Sequence, residues 1–268
     1  MELLSVDKKK CLHCGICVES CPSCILELGP EGPECHSEHG CMSCGHCVAV
    51  CPVGALDNRY SPLSNMLPLT EPVLPAEDAY KFLRMRRSIR CFKPEIPSEE
   101  DITRLLDICR YAPTATNSQC MYYLVIRNPQ QIKDIANIVV DWMEEEMLQN
   151  CANKRYYRHA VSKYREGIDI IARKAPCLVF ASTKRVNFAG ESSAEQCWAY
   201  ASLYAQSLGL GTTIAGFITE CCLANHNPLR EYLGIARKMK LVGCMMIGYP
   251  KFPYYRMPER QHLKVDFK

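Results

Sequence analysis

Two cysteine runs of identical spacing dominate the N-terminal part of this 268-residue chain. Cys11, Cys14, Cys17 and Cys21 precede Pro22, and Cys41, Cys44, Cys47 and Cys51 precede Pro52. Each is a C-x2-C-x2-C-x3-C-P run, the spacing in which three close thiolates hold one face of an iron-sulfur cubane while the fourth reaches the other cluster. On that rule Cys11, Cys14, Cys17 and Cys51 hold one 4Fe-4S cluster, and Cys41, Cys44, Cys47 and Cys21 hold the second. A segment constrained in this way folds around two inorganic cores with its chain crossing between them. Structural zinc suits the pattern poorly, because it needs four ligands per site and usually pairs two distant C-x2-C knuckles.

Composition narrows the setting of these runs. Ten of the nineteen cysteines fall between Cys11 and Cys51, and metal ligation in a reducing cytoplasm accounts for them better than disulfides do. The others, Cys91, Cys109, Cys177, Cys197 and Cys244 among them, read as small buried hydrophobes. Met1 to Lys10 carries Glu2, Asp7 and three lysines, unlike the apolar run of a signal peptide. No apolar stretch approaches the ~20 residues of a membrane span, so a soluble, cytoplasmic protein is expected. Residues 1–57 hold three Lys against eight Asp or Glu, a charge of −5, which leaves +8 on the rest of a chain whose net charge is +3. A basic body suits an anionic cofactor or an acidic partner. No motif supports nucleic-acid binding.

Three segments follow from the pattern: a cysteine domain over 1–57, a linker over 58–78, and a body over 79–268. The linker reading rests on Pro62, Pro68, Pro72 and Pro75 in a stretch without helical or alternating periodicity. In the body, Ser98-Glu99-Glu100-Asp101 forms a capping box ahead of Ile102, Leu105, Leu106 and Cys109, which share one helical face. Tyr122 to Ile126 reads as a strand. Ile132, Ile135, Ala136, Val139, Val140, Met143 and Met147 mark a long amphipathic helix, and Tyr156 to Arg173 a second helix. Cys177 to Ala181 and Leu241 to Ile247 have the length and continuity of buried strands, with a helix-compatible segment from Ala194 to Ser207 between them. Leu208-Gly209-Leu210-Gly211-Thr212 closes that helix with a glycine cap and leads into a run ending near Ile218. No G-x-G-x-x-G joins a strand to a helix, which disfavours a resident NAD on a Rossmann fold. The fold class is α/β or α+β.

Four segments of the body recur together. They are Arg86-Arg87-Ser88-Ile89-Arg90-Cys91-Phe92, Ala112-Pro113-Thr114-Ala115-Thr116-Asn117-Ser118-Gln119, Leu208 to Phe217, and Ile247-Gly248-Tyr249-Pro250 with Arg256 beyond. In this order and at these intervals, residues 80–260 resemble the FMN-dependent nitroreductases. With the cysteine head included, the chain resembles ferredoxin-nitroreductase fusions. The resemblance implies an α+β fold in which helices flank a central sheet, joined to a small ferredoxin-type domain, and a homodimer with FMN at its interface. It implies that Arg86 and Arg256 reach the flavin phosphate, for which guanidinium forks are suited. Ser88 would bond the ribityl chain or phosphate, with Arg87 adding backbone and charge. Arg90 would stand beside N1 and O2 of the isoalloxazine, where negative charge accumulates on reduction. Pro113, Thr114 and Asn117 would come from the neighbouring subunit. Ala215 and Gly216 would present backbone to the flavin edge, the Gly216 amide to N5. The sequence departs from many relatives at Ala215, where they carry glutamate, and at Cys120 and Met121, where they carry Pro-Trp. Arg260 and Lys251 are further phosphate candidates but read more simply as exposed tail charge.

The implied activity is that of an iron-sulfur flavoprotein. Clusters pass single electrons and a flavin collects two. A ferredoxin or another low-potential donor would charge the two 4Fe-4S clusters, and these would reduce FMN. The FMN would then reduce an electron-poor acceptor: a nitroaromatic, quinone, activated alkene or haloaromatic. Catalysis is centred on the flavin, and no side-chain acid is assigned. Two alternatives stand beside this: a relay or redox sensor that passes charge to a protein partner, and an NAD(P)H-dependent reductase with accessory clusters. Asp141 to Arg173, with Trp142, Tyr156, Tyr157 and Glu144-Glu145-Glu146, offers a lid over the substrate, although aromatics at helical spacing are more often packing. Cys24, Cys35, His36 and His39 lie between the cysteine runs, where a further metal would require them to converge. His13 and His46 read as surface or supporting groups.

Overall fold

The computed structural model describes residues 2–69, 73–149 and 151–268. Of the linker prolines, Pro72 lies outside the described residues. The chain forms two compact units, one of residues 1–73 with 115–118 and one of residues 74–114 with 119–268.

The first unit is a tandem repeat. Strand β1 (Leu4–Val6), helix α1 (Ile16–Glu19) and strand β2 (Leu26–Gly29) are followed by β3 (Gly32–Cys35), α2 (His46–Ala49) and β4 (Leu56–Asn58). The halves interlock, since β1 pairs antiparallel with β4 and β2 with β3. The cysteine spacing sets the local backbone in both copies. His13 and Ser43, each just before the second cysteine of its run, have φ of 51° and 53°, and Gly15 and Gly45, just after it, have 74° and 71°. These left-handed turns fold each three-cysteine stretch back on itself before its one-turn helix. Gly45 is required twice over, because a Cβ there would also strike Ser61 Oγ and Met66 Cε. Leu3, Leu4, Ile25, Leu26, Val48 and Leu56 form the small apolar core, with Met66 packed against it. Residues 58–66 therefore lie on this unit as ordered chain.

The second unit is built on a four-stranded antiparallel sheet in the order β5-β6-β8-β7, from Tyr122–Ile126, Cys177–Lys184, Met239–Gly248 and Gly211–Ile214. Its helices are α3 (Ala76–Met85), α4 (Glu99–Asp107), α5 (Pro129–Leu148), α6 (Lys154–Arg165), α7 (Gly190–Ala205), α8 (Gly216–Leu223) and α9 (Asn227–Tyr232). The central strands are buried on both faces, which is why they read as continuous apolar runs. Leu178, Phe180, Cys244 and Met246 face the core shared with α5, α6 and α8. Cys177, Val179, Met245 and Ile247 face the core shared with α4 and α7. An irregularity in the β6–β8 pairing between Ala181 and Ser182 shifts the register opposite Gly243.

The N-cap forms, Ser98 Oγ accepting from the Asp101 amide at 3.0 Å and donating to Asp101 Oδ2 at 2.8 Å. The helix predicted from Tyr156 to Arg173 ends at Arg165. Gly167 turns left-handed at φ 86°, and Asp169 then organises a turn through the amides of Ile171, Ala172 and Lys174. The helix expected from Ala194 starts earlier, at Gly190. Helix α3 begins at Ala76, inside the stretch read as linker, with Glu77 and Asp78 in its first turn.

Candidate functional site

In the first unit the cysteines gather into two cavities. One is lined by Cys11, Cys14, Cys17 and Cys51, the other by Cys21, Cys41, Cys44 and Cys47. Each therefore takes three sulfurs from one run and the fourth from the other, the crossed set expected from the spacing. Four soft thiols around an apolar hollow are the donor chemistry that a cubane requires. Backbone N–H groups already point at the sulfurs: Ala55 N–H donates to Cys51 Sγ at 3.3 Å and Ser43 N–H to Cys41 Sγ at 3.5 Å. Burial pushes the Cys17 and Cys47 thiols upward, so loading these sites means displacing protons.

The other metal candidates do not converge. Cys24, Cys35, His36 and His39 form no group of three or more side chains able to hold a metal ion. Cys24 is exposed at φ 52°, and His36 Nε2 lies 3.1 Å from its carbonyl oxygen, with the backbone as partner. His13 and His46 are exposed. Asn117, which belongs to this unit, donates through Nδ2 to the carbonyls of Met42 and Ser43 at 3.2 and 3.1 Å, between Cys41 and Cys44.

In the second unit Arg86, Arg87 and Arg256 line one cavity of about 670 Å3, together with Gly211, Thr212 and Tyr255. The segment Arg86 to Phe92 is fixed to the sheet at both ends. Ser88 bridges Thr212, the Ile89 amide donates to Thr212 O at 2.9 Å, and Phe92 bridges Pro250. Gly211 permits this approach, because a Cβ there would lie 2.6 Å from the Ile89 side chain. The tail returns over α3 through an Arg84–Glu259 ion pair at 3.1 Å.

The electrostatics of the cavity are one-sided. Arg86 is held below the usual guanidinium range by burial first, and then by Arg87, Arg260 and Arg90. Among the described residues none of Arg86, Arg87, Arg90 and Arg256 makes an ion pair with a carboxylate. Such a cluster suits a dianionic phosphate. Arg260, read from sequence as tail charge, is exposed but acts electrostatically on Arg86. Lys251 instead lies over the Phe252 ring, 5.4 Å from its centroid.

The remaining flavin candidates stand at separate positions. Ala215 is fully buried, donates to Cys244 O at 2.9 Å and caps α8. Gly216 is the first residue of that helix, so its N–H has no intrahelical partner, and the space where a Cβ would project is open. Pro113 is exposed, and Thr114 Oγ1 accepts from the Gln119 amide at 3.1 Å. Pro113, Thr114, Ala215 and Gly216 do not line the arginine cavity. Sequence reading missed Arg84, Gln206 and Tyr254 as lining residues. Gln206 was detectable only as a polar residue beside the glycine cap.

Beyond Gly216 lies an aromatic group. Phe217 stacks with Tyr156 at 4.8 Å between centroids, and Tyr157 packs on Trp142 at 5.5 Å. Tyr157 donates to Glu220 Oε2 at 2.7 Å. Burial and that carboxylate push its phenol upward. Trp142 and Tyr157 are buried packing residues, whereas Tyr156 is exposed.

Residues 83–249 match the nitroreductase family and residues 10–55 match the 4Fe-4S dicluster domain. The chain belongs to the nitroreductase family, with a 4Fe-4S dicluster domain ahead of the family fold. A protein of Archaeoglobus fulgidus provisionally named an NADH dehydrogenase/NAD(P)H nitroreductase is 25% identical over 178 residues, covering 65% of this chain and 87% of its own. The FMN-bound nitroreductase of Bacteroides fragilis aligns with a TM-score of 0.58 at 16% identity, over 71% of this chain and 99% of that one. That of Desulfitobacterium hafniense gives 0.55 at 17%, over 70% and 97%. These solved structures share the α+β fold of the second unit.

Proposed function

We propose that this FMN-dependent oxidoreductase passes low-potential electrons from two 4Fe-4S clusters to FMN and on to an electron-poor organic acceptor. One observation carries the reading: a single chain combines two crossed four-cysteine cavities with an arginine-lined cavity in which Arg84 is paired with Glu259 while Arg86, Arg87 and Arg256 have no ion-pair partner among the described residues. Cys11, Cys14, Cys17 and Cys51 hold one cluster, and Cys41, Cys44, Cys47 and Cys21 the other. Arg86 and Arg256 bind the flavin phosphate, with Arg87 and Ser88 beside them. Arg90 offsets negative charge at the N1 edge, and the Gly216 amide at the start of α8 serves the N5 edge. Bound FMN supplies two-electron chemistry fed by one-electron carriers.

Pro113, Thr114 and Asn117 complete the flavin site from a second copy of the chain, so the working unit is a homodimer. The exposed tail, with Tyr255 and Phe267 at 85% and 93% exposure, supplies apolar surface for that association. Tyr156 offers the acceptor an aromatic wall. Nitroaromatics, quinones, activated alkenes and haloaromatics fit this class, and a ferredoxin or similar carrier fits as donor. The name of the Archaeoglobus relative favours a second reading, in which NAD(P)H is the donor.

Anaerobic purification followed by metal and flavin analysis tests the proposal. About eight iron atoms, four per cubane, and one FMN per chain are expected. The variant Arg86→Ala/Arg256→Ala should lose FMN while keeping its iron. FMN retained in that variant, or chains free of flavin after anaerobic purification, would overturn the assignment. Flavin bleached by NADH alone as fast as turnover would favour the second reading.

A further inference from the structure

A second cavity in the nitroreductase unit lies apart from the arginine cluster and shares no lining residue with it. It measures about 520 Å3, within the range of small-molecule sites. Its apolar walls come from Pro94, Ile96, Pro129, Ile132, Ala136 and Pro176. Three of these are prolines, whose fixed φ makes the walls stiff before any ligand arrives.

The charged groups that line this cavity are two lysines and Asp169, whose carboxylate is taken up by backbone amides. Lys133 on α5 and Lys174 before β6 both line it, both are exposed, and among the described residues neither has an ion-pair partner. The neighbouring acids are already occupied. Asp134 accepts from Gln130 Nε2 at 2.8 Å and from Tyr232 OH at 2.9 Å. Asp169 accepts three backbone amides, those of Ile171, Ala172 and Lys174, at 3.1, 2.8 and 2.7 Å. That turn holds Arg173 and Lys174 at φ of 53° and 51°, a conformation costly for residues with a Cβ. That turn carries Lys174, which lines the same cavity as Lys133. Asn137, also in the lining, accepts from Tyr164 OH through Oδ1 at 2.9 Å, which leaves its amide nitrogen as the donor end.

We infer that this cavity binds a small amphipathic carboxylate, with its hydrocarbon body between the prolines and Ile132 and its head group between Lys133 and Lys174. Two ammonium groups and an amide suit a monoanion. A phosphate site would call for guanidinium forks or uncapped helix amides. Here the first amides of α5 are taken, because Asn128 Oδ1 accepts from Gln130 and Gln131.

The test uses the full-length protein carrying its clusters and flavin, titrated calorimetrically with 4-phenylbutyrate and with the neutral 4-phenylbutanol. The acid should bind about tenfold more tightly than the alcohol, as one charge-assisted hydrogen bond would give, and should leave the flavin absorption spectrum unchanged. Lys133→Gln/Lys174→Gln should erase that preference and keep the alcohol's affinity, while Ile96→Trp, which fills the cavity, should weaken both. The inference is overturned if the acid does not bind, if it binds the lysine variant equally well, or if its binding perturbs the flavin spectrum, which would place it at the flavin.

Discussion

Arg86 concentrates the chemistry of the second unit. It is partly buried among the like charges of Arg87, Arg260 and Arg90, whose repulsion a bound phosphate would relieve. Arg86→Ala should weaken FMN binding by about 10- to 100-fold, the worth of a charge-assisted hydrogen bond, measurable by equilibrium dialysis. Asn117, proposed for the flavin site of a second copy, also engages its Nδ2 within the cysteine unit. Its two bonds to Met42 and Ser43 carbonyls, each worth about 1 kcal/mol, brace the loop between Cys41 and Cys44. Asn117→Leu should speed iron release to a chelator roughly tenfold or more, and an unchanged rate would refute the bracing role. The buried Cys177 and Cys221 thiols are each pushed up to about 12, by desolvation first. Their pKa is raised in the folded state, so their contribution is fully present below the unfolded value of 9.0 and is lost as pH rises toward 12. Cys177→Ala should therefore flatten the fall in melting temperature above pH ~9.

At the scale of elements, turn chemistry places the functional atoms. Gly45→Ala should cost about 1–2 kcal/mol for its left-handed backbone alone and destabilise the cysteine unit first, seen as cluster bleaching at lower temperature. Ser98→Ala should remove about 1 kcal/mol through the lost cap on α4, lowering the melting temperature without changing flavin content. Much of this level was legible in the sequence. The cysteine spacing anticipated which four cysteines line each cavity, and uninterrupted apolar runs located β6 and β8. The start of α8 was harder to read. Thr212 to Ile218 has a single apolar character although strand gives way to helix at Ala215, and no cap residue marks the change. The end of α6 is set at Gly167, which turns left-handed while the Ile168 amide donates to Lys163 O at 2.9 Å, a glycine stop that was legible but that helical periodicity alone overrides. Arg260 looked like tail charge because its effect on Arg86 spans distant sequence.

On the scale of the whole molecule, the charge division acquires a meaning. The acidic head carries the cysteine cavities, and the basic body carries the arginine cavity. Among the described residues no helix is long and apolar enough to cross a membrane. The proposed homodimer should appear in sedimentation as a single species of twice the 30.4 kDa chain mass, and a monomer that retains FMN would contradict a flavin site shared between copies.

The most direct test of electron flow is anaerobic stopped-flow mixing with a reduced low-potential ferredoxin, following iron-sulfur and flavin absorbance together. The native protein should reduce its flavin rapidly, and Cys14→Ser/Cys44→Ser, with FMN still bound, should do so at least ~100-fold more slowly, as loss of the one-electron carriers requires. Equal rates of flavin reduction in the two proteins would contradict this route.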